Sequence, residues 1–199
     1  MNMKVIISTL LAFAFVFSIA TAQDVTYTLS EVAEFRIDGD SNVRSWYGDI
    51  TDANATLVLS GVDNFSIDEL TPDVFSSLEI NIAVKGIESD SNRLTSNLHN
   101  YLKGDDHPTI TFKLNEITDI ETSGSEATIT ADGVINAAGK DHNISMSVLA
   151  TVNSDGSIRF TGKQDLLMTS FDIDPPTAVM GTVRARDEIE ILFDVTFAR

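Results

Sequence analysis

Four stretches of this chain alternate apolar and polar residues with a period of two, and no other feature narrows its fold so far. Leu78, Ile80, Ile82 and Val84 share one face, with Glu79, Asn81 and Lys85 between or beside them. Ile110, Phe112 and Leu114 alternate with Thr111 and Lys113, and Ile144, Met146, Val148 and Ala150 with Ser145, Ser147 and Thr151. Near the end, Ile189, Ile191, Phe193, Val195 and Phe197 alternate with Glu190, Asp194 and Thr196, interrupted only by Leu192. Successive side chains of a strand point to opposite faces, so each stretch is a strand with one dry and one wet side. Weaker versions at 25–29, 33–37, 55–59, 127–135 and 158–167 bring the expectation to about ten strands separated by short Gly, Asn, Asp and Ser clusters. Asn153-Ser154-Asp155-Gly156 reads as a hairpin turn, because Asp-Gly supplies the positive φ that such turns require. One segment has a different period: Leu94, Leu98 and Leu102 recur every four residues, which predicts a short amphipathic helix over about residues 91–102, capped by Asp90 or Ser91. The class is all-β. Alternation alone leaves a two-sheet sandwich and a closed barrel equally open.

Residues 1–22 stand apart from this pattern. Lys4 is followed by an apolar run of about 15 residues, short of the roughly 20 that span a bilayer, and Ala20-Thr21-Ala22 offers the small residues that a signal peptidase needs. A cleaved signal peptide over 1–22 and a single domain over 23–199 are expected, with no transmembrane segment in the mature chain. The chain holds 30 acidic and 13 basic residues, a formal net charge of −17. Such a field repels phosphate backbones, which argues against nucleic acid as a partner. With no cysteine, disulfides cannot staple the fold, and burial of apolar surface has to hold it together.

Motifs for chemistry are missing. There is no Gly-x-Ser-x-Gly elbow, no His-Glu-x-x-His helix and no cysteine nucleophile. Residues 133–140 have the wrong glycine spacing for a phosphate loop, and Asp141 follows Lys140 where Ser or Thr would hold magnesium. Asp38, Asp40 and Asn42 have the first spacings of a calcium loop, but Val43 occupies its glycine position and Asp49 stands where glutamate is needed. His99, His107 and His142 are scattered. The sequence implies neither a metal nor a cofactor.

Three blocks, in order, resemble the YceI-like polyisoprenoid-binding family. The first is Asn92-Arg93-Leu94-Thr95-Ser96-Asn97-Leu98 with Tyr101-Leu102-Lys103 and His107-Pro108-Thr109-Ile110-Thr111-Phe112, similar to the family's short helix followed by "yP-x-I-x-F". The second is Gly133-Val134-Ile135-Asn136-Ala137-Ala138-Gly139-Lys140-Asp141. The third is Ser170-Phe171-Asp172-Ile173-Asp174-Pro175-Pro176-Thr177-Ala178-Val179-Met180-Gly181, similar to the double-proline branch. Near the start, Phe35-Arg36-Ile37-Asp38 is followed by Asp40-Ser41 where typical members have His-Ser, and Ser41 to Trp46 resembles a shorter branch with a tryptophan after the serine. No contact of that histidine is implied here.

The resemblance implies an antiparallel lipocalin-like β-barrel, exported to the periplasm or secreted, whose elongated pore takes an isoprenoid or fatty chain without catalysis. The dry faces then supply the pore lining: Leu78, Ile80 and Ile82; Ile110 and Phe112; Ile144, Met146 and Val148; and Ile191, Phe193 and Val195. Phe171, Pro175, Pro176 and Met180 lie in a segment too interrupted by proline for a central strand, and are expected to cover one mouth. Three readings remain beside the carrier. The same side chains would fill the solid core of a ligand-free stress-response or interaction domain, an outer-membrane barrel would turn its dry face outward, and an enzyme on a lipocalin-like barrel would need an ionisable residue pointing into the pore. The partner expected is a lipid with a long apolar tail; a homodimer stays open.

Overall fold

A computed structural model describes residues 24–61, 66–67 and 70–199. The signal-peptide expectation for 1–22 falls outside the described residues. The strands are β1 (Val25–Ser41), β2 (Trp46–Ile50), β3 (Ala53–Leu59), β4 (Phe75–Ala83), β5 (Ile87–Glu88), β6 (Thr109–Ser123), β7 (Glu126–Ala137), β8 (Lys140–Val152), β9 (Ile158–Leu167), β10 (Thr177–Ala178) and β11 (Val183–Ala198), with one helix, α1 (Asn92–Tyr101).

Eight of these strands form a ring. The antiparallel sheet runs β11-β9-β8-β7-β6-β4-β3-β1, and β1 pairs again with β11, from Thr28 opposite Ala198 to Ser41 opposite Ala185. That pairing chooses the barrel over the sandwich. β2 pairs with β1 at Arg36–Gly39 and holds the two-residue β5, while β10 pairs only with β11. Its two residues follow directly on Pro175-Pro176, which cannot donate to a ladder.

Several strands run longer than their alternation predicts, because β-bulges shift the face mid-strand. In β6 the register slips between Leu114 and Glu116 and again between Ile117 and Asp119. Each extra residue turns the next apolar side chain back inward, so Ile117 and Ile120 join the interior despite their spacing of three. β1 slips between Leu29 and Glu31 and between Val32 and Glu34. The stretches 25–29 and 33–37, expected as separate strands, are therefore one.

One end of the ring is plugged. Ile67, Leu70 and Val74, from the segment between β3 and β4, pack with Tyr27, Leu57, Leu59, Ile158 and Phe197, which are at most 2% exposed in the last five cases. The chain's largest fully buried side chains concentrate here. The opposite end meets α1, whose N-cap is Ser91: its hydroxyl oxygen accepts from the Leu94 amide at 3.4 Å. Leu98 and Leu102 of this helix end pack inward against Ile37, Ile50 and Ile87, the leucine repeat having set the buried face.

The outer face is wet and paired. Lys163 bonds Glu190 across β9 and β11 at 2.6 Å, Lys113 approaches Glu79 across β6 and β4 at 3.8 Å, and Arg159 holds Asp194 with two side-chain hydrogen bonds. The Arg159 bond holds the Asp194 carboxyl below the usual carboxylate range. A barrel bathed in lipid could not present such a surface at mid-strand. Among the described residues no helix is long and apolar enough to cross a membrane.

Candidate functional site

Inward side chains of eight strands do not meet in the middle. Between the plugged end and α1 lies an apolar cavity of about 600 Å³, within the range of small-molecule sites. At about 30 Å³ per non-hydrogen atom, a water's share of liquid volume, it has room for roughly 20 carbon-sized atoms. Leu57, Ile129 and Phe197 form its floor, and a solid core is not what these side chains build.

The eleven residues expected as pore lining face this space, whereas Val84 and Ala150 of the same alternating runs lie outside it. Leu78, Ile80 and Ile82 reach it from β4, Ile110 and Phe112 from β6, Ile144, Met146 and Val148 from β8, and Ile191, Phe193 and Val195 from β11. Ile144 and Val195 are buried, and the other nine are half-buried because one side of each faces the cavity. Of the residues expected at the mouth, Phe171 is turned inward and only 3% exposed, its ring edge-on to His142 at 5.5 Å between centroids. Pro176 lines the cavity too, but Pro175 is outside the lining. Met180 also lies outside it, fully exposed at the tip of the β10–β11 hairpin.

What keeps the middle open is a pairing of aromatic rings with glycines on the wall. Phe193 stands opposite Gly162 in the β11–β9 register, and a methyl group placed on Gly162 would come within 2.7 Å of the ring's Cζ. Phe112 of β6 lies over Gly133 of β7 in the same way, 2.4 Å from such a methyl, and Trp46 of β2 lies over Gly39 of β1. Each inward glycine leaves a hollow one side chain deep, into which a neighbouring ring folds back. Bulky rings thus thicken the wall instead of crossing the lumen.

The mouth is built by three segments: residues 41–46, the inner face of α1, and the chain around β10. Asn42 ties the first to the third, its side chain donating to the Thr182 carbonyl at 2.8 Å and accepting from the Arg184 amide at 2.8 Å. Ser41, Arg44, Ser91, Arg93 and Asn97 bring polar groups to the rim. Alternation finds none of these, since they sit at a strand end, on a loop and at the start or on the face of a helix. Leu94, Leu98 and Leu102 also line the cavity. Their four-residue repeat was the available signal for a helix with one dry face, though not for the cavity it covers. β2 escaped sequence reasoning because Gly48 interrupts its inward row of Trp46 and Ile50.

The calcium-like residues have structural partners. Asp38 accepts from Arg36 at 2.7 Å, and Asp40 accepts from Ser45 and lies 3.1 Å from the Arg186 guanidinium. His99 contacts the Ile87 carbonyl at 2.9 Å. Among the described residues no three metal-ligating side chains converge.

The YceI-like domain family matches residues 27–197. No curated protein matches. Among solved structures, this fold is similar to BcnA of Burkholderia cenocepacia, 16% identical with a TM-score of 0.58, covering 83% of this chain and 99% of that one. The YCEI protein of Campylobacter jejuni is 17% identical with a TM-score of 0.56, over 76% and 84% of the two chains. A polyisoprenoid-binding domain from Saccharophagus degradans, implicated in plant cell wall breakdown, is 8% identical with a TM-score of 0.62, over 86% and 97%. At these identities the likeness concerns the fold.

Proposed function

Because the chain belongs to the YceI-like family, we propose that it is a non-catalytic carrier, exported from the cytoplasm to the periplasm or beyond, that holds the apolar tail of an isoprenoid or fatty lipid inside its barrel. The observation behind this reading is the apolar cavity of about 600 Å³ on the axis of a closed ring. Each methylene moved from water into such a lining is worth about 0.8 kcal/mol, so a tail of roughly ten carbons gains about 8 kcal/mol. A tail filling the cavity gains about twice that, against association costs of about 4–15 kcal/mol. The family membership and the polyisoprenoid-binding domain of similar fold support the same class of ligand. Export rests on the apolar, small-residue-ended pattern of residues 1–22.

Titration with a fluorescent fatty or prenyl probe tests the carrier. The native protein is expected to bind it, and Phe112→Asp and Phe193→Asp to lose binding, because a carboxylate in the lining would have to shed its water as the tail enters. Circular dichroism shows whether each variant is folded. Retained binding by both folded variants would defeat the pore assignment.

A further inference from the structure

Cavity and charge point to one more property. The chain has more than twice as many acids as bases, yet no aspartate or glutamate lines the cavity, and the charged side chains that do are Arg44 and Arg93. Seven basic residues outside the cavity have carboxylate partners: Arg36 with Asp38, Lys85 with Asp105, Lys113 with Glu79, Lys140 with Asp172, Arg159 with Asp194, Lys163 with Glu190 and Arg186 with Asp40. Among the described residues Arg44 and Arg93 form no ion pair, although acids surround them in sequence and number. Arg184 and Lys103, also without an ion pair among the described residues, lie outside the lining, and Arg184 donates to the Gly181 carbonyl at 2.9 Å. Arg44 and Arg93 enter the lining from two different segments, the β1–β2 loop and the first turn of α1, where Ser41, Ser91 and Asn97 also line it.

A guanidinium is a five-donor fork suited to a carboxylate or phosphate, and it is less strongly hydrated than an ammonium group. Two of them, left without protein anions at the entrance of an apolar cavity, complement a ligand that is greasy along its length and negative at its end. We infer that the lipid is a single-tailed anion, its carboxylate or phosphate head held at the rim by Arg44 and Arg93 while its tail occupies the lumen. This rests on the carrier reading and gives that reading a head-group class. The exposed apolar residues Val43 and Val179, on the same rim, flank the path by which the tail enters.

Three probes with one saturated tail separate the two claims: a fatty acid, a monoalkyl phosphate and a fatty alcohol, each titrated by displacement of the same fluorescent lipid. The two anions are expected to bind roughly tenfold tighter than the alcohol, a preference that shrinks as salt rises. In Arg44→Gln/Arg93→Gln that ratio collapses toward one, whereas Lys113→Gln, which removes one outer-face charge, keeps it. Inorganic phosphate alone should neither displace the probe nor raise the thermal midpoint, since the head without the tail gains little. If the alcohol matches the anions, or the ratio survives the double variant, the head-group assignment is wrong and the carrier stands. If none of the three lipids displaces the probe, the carrier reading falls and the head group with it. Displacement by phosphate alone would mark a free-anion site and would also overturn the assignment.

Discussion

The two halves of the barrel interior obey one sequence rule and differ in what their side chains touch. At the plugged end, Tyr27, Leu59 and Ile158 are inward residues surrounded on every side, closed over by Ile67, Leu70 and Val74. Toward α1, Ile80, Ile82, Ile110, Phe112 and Ile191 are equally inward, but each has wall on one side and open space on the other. In the first half apolar surface is satisfied within the protein. The second half stays unsatisfied until something else fills it, so stability and binding are assigned to different ends of one barrel.

Truncation should expose that division most strongly. Leu59→Ala removes atoms packed on all sides and is expected to cost about 2–5 kcal/mol, read from denaturant unfolding. Ile82→Ala removes atoms that already face space, and its cost should stay near 1 kcal/mol, because little new void is made. Its effect should show in lipid affinity instead. Equal losses of stability at the two positions would mean that the halves are packed alike.

A smaller effect is expected at the glycine beneath Phe193. Gly162→Ala puts a methyl where the ring now lies and should destabilise the fold by about 1–3 kcal/mol, as over-packing does. The ring can escape only toward the lumen, so affinity for a long-tailed probe should fall in the same variant. Unchanged affinity would separate the ring–glycine pairing from the open interior.

The smallest effect concerns the outer face. Asp194 is held below the usual carboxylate range first by its hydrogen bond from Arg159, so the stability it adds is present above the unfolded value, near 3.8, and is lost as pH falls through its folded value. Arg159→Gln should therefore match the native protein in strong acid and fall behind as pH rises through the carboxylate range. The gap should be constant above that range and shrink in high salt, since the arginine is solvent-exposed. Lipid affinity should not move at any pH where both are folded, because the pair stands on the wet side of β9 and β11.

Alternation told which side chains share a dry face, and only the barrel implied by the family resemblance turned those faces inward. Alternation could not tell how far apart they stand across the ring, because a period of two is the same over a filled core and over a cavity. The openness comes from glycines at 39, 133 and 162, whose meaning appears only when the opposing ring is known. Bulges hid the outer parts of β1 and β6, since a one-residue slip converts a period of two into a spacing of three at Leu114, Ile117 and Ile120. The arginines at the rim were illegible for another reason: a loop residue and a helix residue have no sequence relation until the fold brings both to one opening.

The central claim is a tail lying along the barrel axis, and a crystal soaked with a fatty acid brominated midway along its chain tests it most directly. The account expects an anomalous bromine peak inside the ring, among Ile80, Phe112 and Phe193. A protein that takes up the same lipid in solution but places the bromine on its outer surface, with no density between those side chains, would contradict it.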